Sequence, residues 1–238
     1  MGQSVSADDK HKPLIIQRQF EPTISRRFIK DRIVSIELED NFWTKPRAEE
    51  VEIKDKRSGQ VLFRLPPQDG NPATKHERHQ LLDAFRVPVV GLEWTNQKPT
   101  LAQYVITPGG ANPNNDVLYE FETQINPFFY PLELVVNKES PDACVKLYVI
   151  GRWLARRTVV GIRRGEEGNI YKIAEFNAVG SVTNPFYRVD IAPGVDIALM
   201  LMFAAAMDEQ SRLHETGSDR TALRSEIKRE QRLLRQPN

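Results

Sequence analysis

The chain has 238 residues, 40% of them hydrophobic and 27% charged, and its 33 Lys and Arg against 32 Asp and Glu leave a formal net charge of +1. That is a globular mixture, long enough for one large domain or two small ones, and its near-neutral balance gives no reason to expect a polyanionic partner. The single cysteine, Cys144, excludes an internal disulfide and a cysteine-based metal cluster.

The N-terminus reads MGQSVSADDK, which puts Gly2 first after Met removal and Ser6 at the favoured position of an N-myristoylation motif. Gly2 is therefore the expected lipidation site, with residues 1–12 a flexible leader. One myristoyl chain gives only reversible membrane binding, and the acidic ADDK that follows supplies no basic second signal. The same stretch lacks the apolar core of a secretory signal. No apolar run reaches the roughly 18 residues of a membrane span, so a cytoplasmic protein, peripherally attached to membranes, is expected.

From residue 13 onward the pattern is mostly of period two, with turn residues between short runs of Val, Ile, Leu, Tyr and Phe, as antiparallel strands require. Expected strands in chain order are 14–20, 50–55, 60–65, 79–83, 87–94, 103–106, 117–125, 131–137, 145–151, 156–164, 169–176 and 186–191. Ser58-Gly59 and Glu167-Gly168 are hairpin signals, because glycine accepts the positive φ of tight turns. Residues 108–116, PGGANPNND, read as a long polar loop. Cys144 sits in the alternating run CVKLYVIG and reads as a buried small hydrophobe in a reducing compartment.

The strongest basic cluster is GRWLARRTVVGIRRG, which holds Arg152, Arg156, Arg157, Arg163 and Arg164 on two strand ends with no acid before Glu166. Guanidinium forks match phosphate geometry, which makes these five the candidate lipid-headgroup contacts. Alternation sends Arg156 and Arg157 to opposite faces, however, as solvent-facing strand positions would also be.

After Pro193-Gly194 and the carboxylate of Asp196 comes IALMLMFAAAM, Ile197 to Met207, without one polar side chain. As a helix, its eleven residues span about 16 Å, half of what a bilayer needs. Apolar on every side, it must be enclosed on every side. About a dozen strands and one rod needing a complete sleeve suggest a closed antiparallel barrel with the helix along its axis; a β-sandwich with a helix across one opening is the alternative. Gly217 and Ser218 end that helix, and the segment from Ser218 carries three acids and six bases. Residues 211–238 are expected to form a charged, partly helical or disordered tail.

The segment YRVDIAPGVDIALMLMFAAAMDE resembles the last strand and helix of the LURP-one-related family, and VEIKDKRSGQVLFRL and LLDAFRVPVVGLEW resemble its hairpins of Asp, turn, Gly and apolar run. The resemblance covers about residues 13–210, and the second hairpin departs from it, with Phe85 and Arg86 where a glycine is usual, which predicts a longer or differently bent turn. It implies a tubby-like fold, mainly β, with about twelve strands closed around a central buried C-terminal helix. Activities in that superfamily diverge between phosphoinositide binding, lipid movement and plant defence, so fold alone does not fix function.

Catalytic signals are weak. His76 and His79 lack a third ligand nearby, and there is no nucleophile elbow, P-loop or HExxH helix. Neither a metal nor a cofactor is expected, and the basic cluster lacks the interleaved aromatics of a nucleic-acid binder. The expected activity is that of a non-enzymatic signalling or defence adaptor binding acidic phospholipids and an unknown protein partner. A scramblase-like lipid-active protein and a soluble interaction module are the alternatives.

Overall fold

The computed structural model describes residues 13–17, 24–39, 42–43, 45–68, 79–98, 101–109, 118–124, 133–136, 145–150, 157–163, 170–180 and 185–215. One sheet, in the order β1-β12-β11-β10-β9-β8, is made of β1 (Val34–Glu39), β8 (Glu133–Val136), β9 (Val145–Ile150), β10 (Arg157–Arg163), β11 (Ile170–Gly180) and β12 (Pro185–Ile191). The other runs in sequence order through β2 (Val51–Lys54), β3 (Val61–Leu65), β4 (His79–Asp83), β5 (Pro88–Lys98), β6 (Leu101–Pro108) and β7 (Tyr119–Gln124). All pairings are antiparallel. Among the described residues one α-helix, α1 (Ile197–Glu215), follows the last strand.

The mainly β class is therefore as expected, but the closed barrel is not: among the described residues the hydrogen-bond ladders stop at two six-stranded sheets. Strands β1 and β2 lie side by side, yet among the described residues the one backbone hydrogen bond across is from the Lys56 N–H, in the turn beyond β2, to the Ser35 carbonyl, at 2.7 Å. The chain between them is used differently. Arg47 pairs by backbone with Gln68 beyond the end of β3, its guanidinium donates to the carbonyls of Pro66 and Phe42, and Phe42 and Trp43 turn inward. Burial lowers the Arg47 pKa from its ordinary value. A four-residue β2 beside so irregular a neighbour cannot carry a continuous ladder to β1.

One expected strand needs correction, and one strand was not expected. Residues 14–17 join no ladder; instead the Gln17 N–H donates to the Pro193 carbonyl at 2.8 Å. The first strand is 34–39, VSIELE, whose Val34, Ile36 and Leu38 are buried while the residues between them face outward. Its partner is β12, in register from Val34 with Ile191 to Glu39 with Phe186. Helix α1 continues through Glu215, two residues short of Gly217; no Gly or Pro interrupts helix formers before it. Residues 1–12 and 216–238, Cys144, His76 and the Glu167-Gly168 turn lie outside the described residues.

Enclosure of the apolar rod holds. Every residue from Val195 to Met207 is buried, in one cluster with Ile36, Phe63, Leu81, Ile106 and Phe176 drawn from both sheets. Phe203 meets Phe176 of β11 with ring centroids 6.3 Å apart, while β5 and β6 of the other sheet also lie against the helix. Straight-chain and small side chains fill the space between sheets without demanding one shape, which is where methionine is useful.

The start of α1 is fixed by Asp196. One carboxylate oxygen accepts the N–H groups of Ala198 and Leu199 at 2.8 and 3.2 Å, an N-cap that satisfies donors the helix leaves open. The other accepts Ile24 N–H at 2.6 Å and Ser25 N–H at 2.8 Å, drawing the N-terminal segment onto the helix end. Just before it, Gly194 has φ +83°, and a Cβ there would strike the Gln17 carbonyl. Glycine is required at that position on both counts.

Candidate functional site

Three segments meet at the end of the fold from which α1 starts: residues 24–33, the turn after β2 and the turn after β4. Each turn is organised by a buried aspartate. Asp55 accepts from the Arg57 N–H at 3.1 Å and the Ser58 hydroxyl at 2.9 Å, and its backbone N–H bonds the Gln60 carbonyl. Asp83 accepts from the N–H groups of Phe85 and Val87, both at 2.9 Å, and its N–H bonds the Val87 carbonyl. Side-chain acceptance of local backbone donors is what makes Asp a turn residue.

Each aspartate is then claimed by an arginine of the N-terminal segment, Arg32 on Asp55 at 2.5 Å and Arg27 on Asp83 at 3.2 Å. The segment RRFIKDR thus clamps two hairpins at once. A 3-10 turn over Arg26–Phe28 aims Phe28 into the core, where its ring lies 4.8 Å from that of Phe63, and Arg27 lies over the Phe28 ring. Burial alone would raise the Asp55 carboxyl; Arg32, the Arg57 N–H and Ser58 together outweigh it and hold the group below the usual carboxylate range.

The second hairpin keeps its shape without glycine. Arg86 takes φ +64°, matching +69° at Gly59 in the first hairpin. Its turn is the tighter one, not the longer: Arg86 N–H returns to the Asp83 carbonyl, three residues back, whereas Gly59 N–H returns to Asp55, four back. The Arg86 guanidinium reaches Glu50, which also accepts from Arg64, and these hydrogen bonds, Arg86 first, hold Glu50 below its ordinary pKa.

Charge at this end is unequally used. Arg27, Arg32 and Arg86 are paired with acids, and Lys56 with Glu37, whereas Arg26, Lys30 and Arg57, and against them the exposed Asp31, have no ion-pair partner among the described residues. Between the segments opens a cleft of about 180 Å³ lined by Phe28, Val61, Leu62, Phe63 and Ile197, with Lys30 and Arg27 among its polar neighbours. Phe85 stands at this cleft with 86% of its surface exposed.

Of the five arginines singled out in the sequence, only Arg157 and Arg163 fall among the described residues. Arg152, Arg156 and Arg164 lie outside the described residues, as does Gly2. Arg157 and Arg163 occupy opposite ends of β10, paired with Asn177 and Ile170 of β11, about 20 Å apart at 3.3 Å per residue. The Arg157 guanidinium donates to Glu175 at 2.5 Å, and buried Lys172 holds the other Glu175 oxygen. Burial pushes the Glu175 carboxyl up, but hydrogen bonds from Arg157 and Lys172 prevail and keep it below its usual value. Of these two, register places Arg163 at the end of the fold where α1 begins.

Sequence reasoning missed the residues 26–33 and the exposure of Phe85. A signal existed: Arg26, Arg27, Lys30 and Arg32 crowd around Phe28, and DAFR departs from the glycine-bearing hairpin pattern.

No curated protein matches the chain significantly. Among solved structures, the X-ray structure of a protein from Arabidopsis thaliana is similar, with a TM-score of 0.52 and 20% identity over 79% of this chain and 97% of that one. At that identity the likeness is one of fold. Residues 38–208 match the LURP-one-related family, a stretch that includes both aspartate-organised hairpins, the Gly194 turn and the enclosed part of α1. The chain belongs to the LURP-one-related family.

Proposed function

We propose that the protein is a non-enzymatic adaptor of signalling or defence, held reversibly at the cytosolic face of membranes by acylation of Gly2 and by contacts with acidic phospholipid headgroups. The observation that supports it most is the cation surplus where α1 begins, in which Arg26, Lys30 and Arg57 have no ion-pair partner among the described residues and only Asp31 is an unpaired acid in the same segment. A lone acyl chain binds marginally, and cations near an acidic leaflet each add about 1 kcal/mol, so the two signals complement each other. The buried carboxylates at this end are all engaged, Asp196 as cap and tether and Asp55 and Asp83 by their turns and by Arg32 and Arg27.

Sedimentation of unacylated protein with neutral vesicles and with phosphoinositide-containing vesicles tests the headgroup half of this reading. The expected result is retention on the acidic vesicles alone, weakening as salt is added. Equal indifference to both compositions contradicts it.

A further inference from the structure

The turn after β4 presents Phe85 at 86% and Val87 at 51% exposure, one on each side of Arg86 in sequence. A phenylalanine on a loose loop would fold back onto the protein. This one is held out: Asp83 accepts the Phe85 and Val87 N–H groups, Arg27 secures Asp83 from outside, and Arg86 occupies the left-handed region. Half-buried Lys30 lines the same cleft as Phe85, exposed Arg26 precedes the Arg27 that secures the turn, and exposed Arg57 lies in the turn after β2; the exposed acid in that N-terminal segment is Asp31. A stable protein interface takes about 800 Å² from each partner around an apolar centre, and two apolar side chains in a basic setting fall well short of that. An acidic bilayer asks for much less, a small wedge and cations at headgroup level.

We propose, on the membrane reading above, that the Ala84–Val87 turn is the element that enters the bilayer, with Phe85 between acyl chains and Arg26, Lys30 and Arg57 against the headgroup phosphates. This orients the fold with the α1 N-terminus toward the membrane.

The test uses unacylated full-length protein and vesicles of phosphatidylcholine with and without phosphatidylserine. Phe85→Ser is expected to bind acidic vesicles about tenfold or more weakly than wild type, the loss that removing one buried aromatic brings. Phe85→Leu restores binding, and the combined Arg26→Ala, Lys30→Ala and Arg57→Ala protein loses the salt-sensitive part. In Phe85→Trp, brominated acyl chains quench fluorescence beyond the wild-type level. Unchanged thermal unfolding of Phe85→Ser, expected from its exposure, ties the loss to the membrane. If Phe85→Ser binds like wild type, or if bound Phe85→Trp is not quenched, the wedge is wrong while headgroup binding stands. Wild type that ignores acidic vesicles overturns both and leaves the turn to a protein partner.

Discussion

Asp196 and Ile24, 172 positions apart, are joined by a 2.6 Å hydrogen bond from the Ile24 N–H to the carboxylate that also caps α1. The cap of the central helix and the attachment of the N-terminal segment are thus one group. Everything placed by that segment, including the Arg27 and Arg32 clamps on both hairpins, depends on it.

Asp196→Ala should therefore cost more than a cap. Loss of an N-cap is worth about 1 kcal/mol, and leaving part-buried N–H groups of Ile24 and Ser25 unsatisfied adds roughly 1–3 kcal/mol for each. A destabilisation of about 3 kcal/mol or more in urea unfolding is expected, with Asp196→Asn intermediate because its amide oxygen still caps.

Arg86 allows a cleaner comparison. A non-glycine residue in the left-handed region is strained by about 1–2 kcal/mol, and Arg86 is exposed. Arg86→Gly should leave thermal stability unchanged or raise it, whereas Arg86→Val, β-branched at the same φ, should lower it. If the valine variant matches the glycine variant, positive φ is not what that position demands.

Acid sensitivity follows from Asp55, whose folded carboxyl lies below its ordinary value. A depressed folded pKa contributes stability that is complete above the unfolded value of about 3.9 and is lost as pH falls through the folded one. Glu175 acts in the same sense. Wild-type stability should hold from neutral pH to about 4 and then decline, and Asp55→Asn, less stable at neutral pH, should decline less steeply. Urea midpoints across that range measure both slopes.

Much of this fold is legible in local pattern. The uninterrupted apolar run from Ile197 to Met207 demanded enclosure, and the Gly194-Val195-Asp196 sequence located its start. Val34, Ile36 and Leu38 alternate as clearly as any strand here, so that β1 was readable, while 14–17 alternate too weakly to compete with docking on Pro193. Sheet closure was not legible, because it depends on whether β1 and β2 can align after the detour through Trp43 and Arg47, a tertiary matter. Which charges share a surface was hidden for a similar reason. Arg157 and Arg163 are close in sequence but a strand's length apart, whereas Lys30, Gln60 and Phe85 are distant in sequence and line one cleft.

Membrane attachment by an acylated N-terminus assisted by the folded domain is tested most directly by fractionating eukaryotic cells that express wild type, Gly2→Ala, or a chain ending at Gly217. Wild type and the shortened chain should sediment with membranes and carry a myristoyl adduct on Gly2 by mass spectrometry, and Gly2→Ala should move to the supernatant. An unmodified Gly2, or a Gly2→Ala protein that stays on membranes as fully as wild type, would contradict the account.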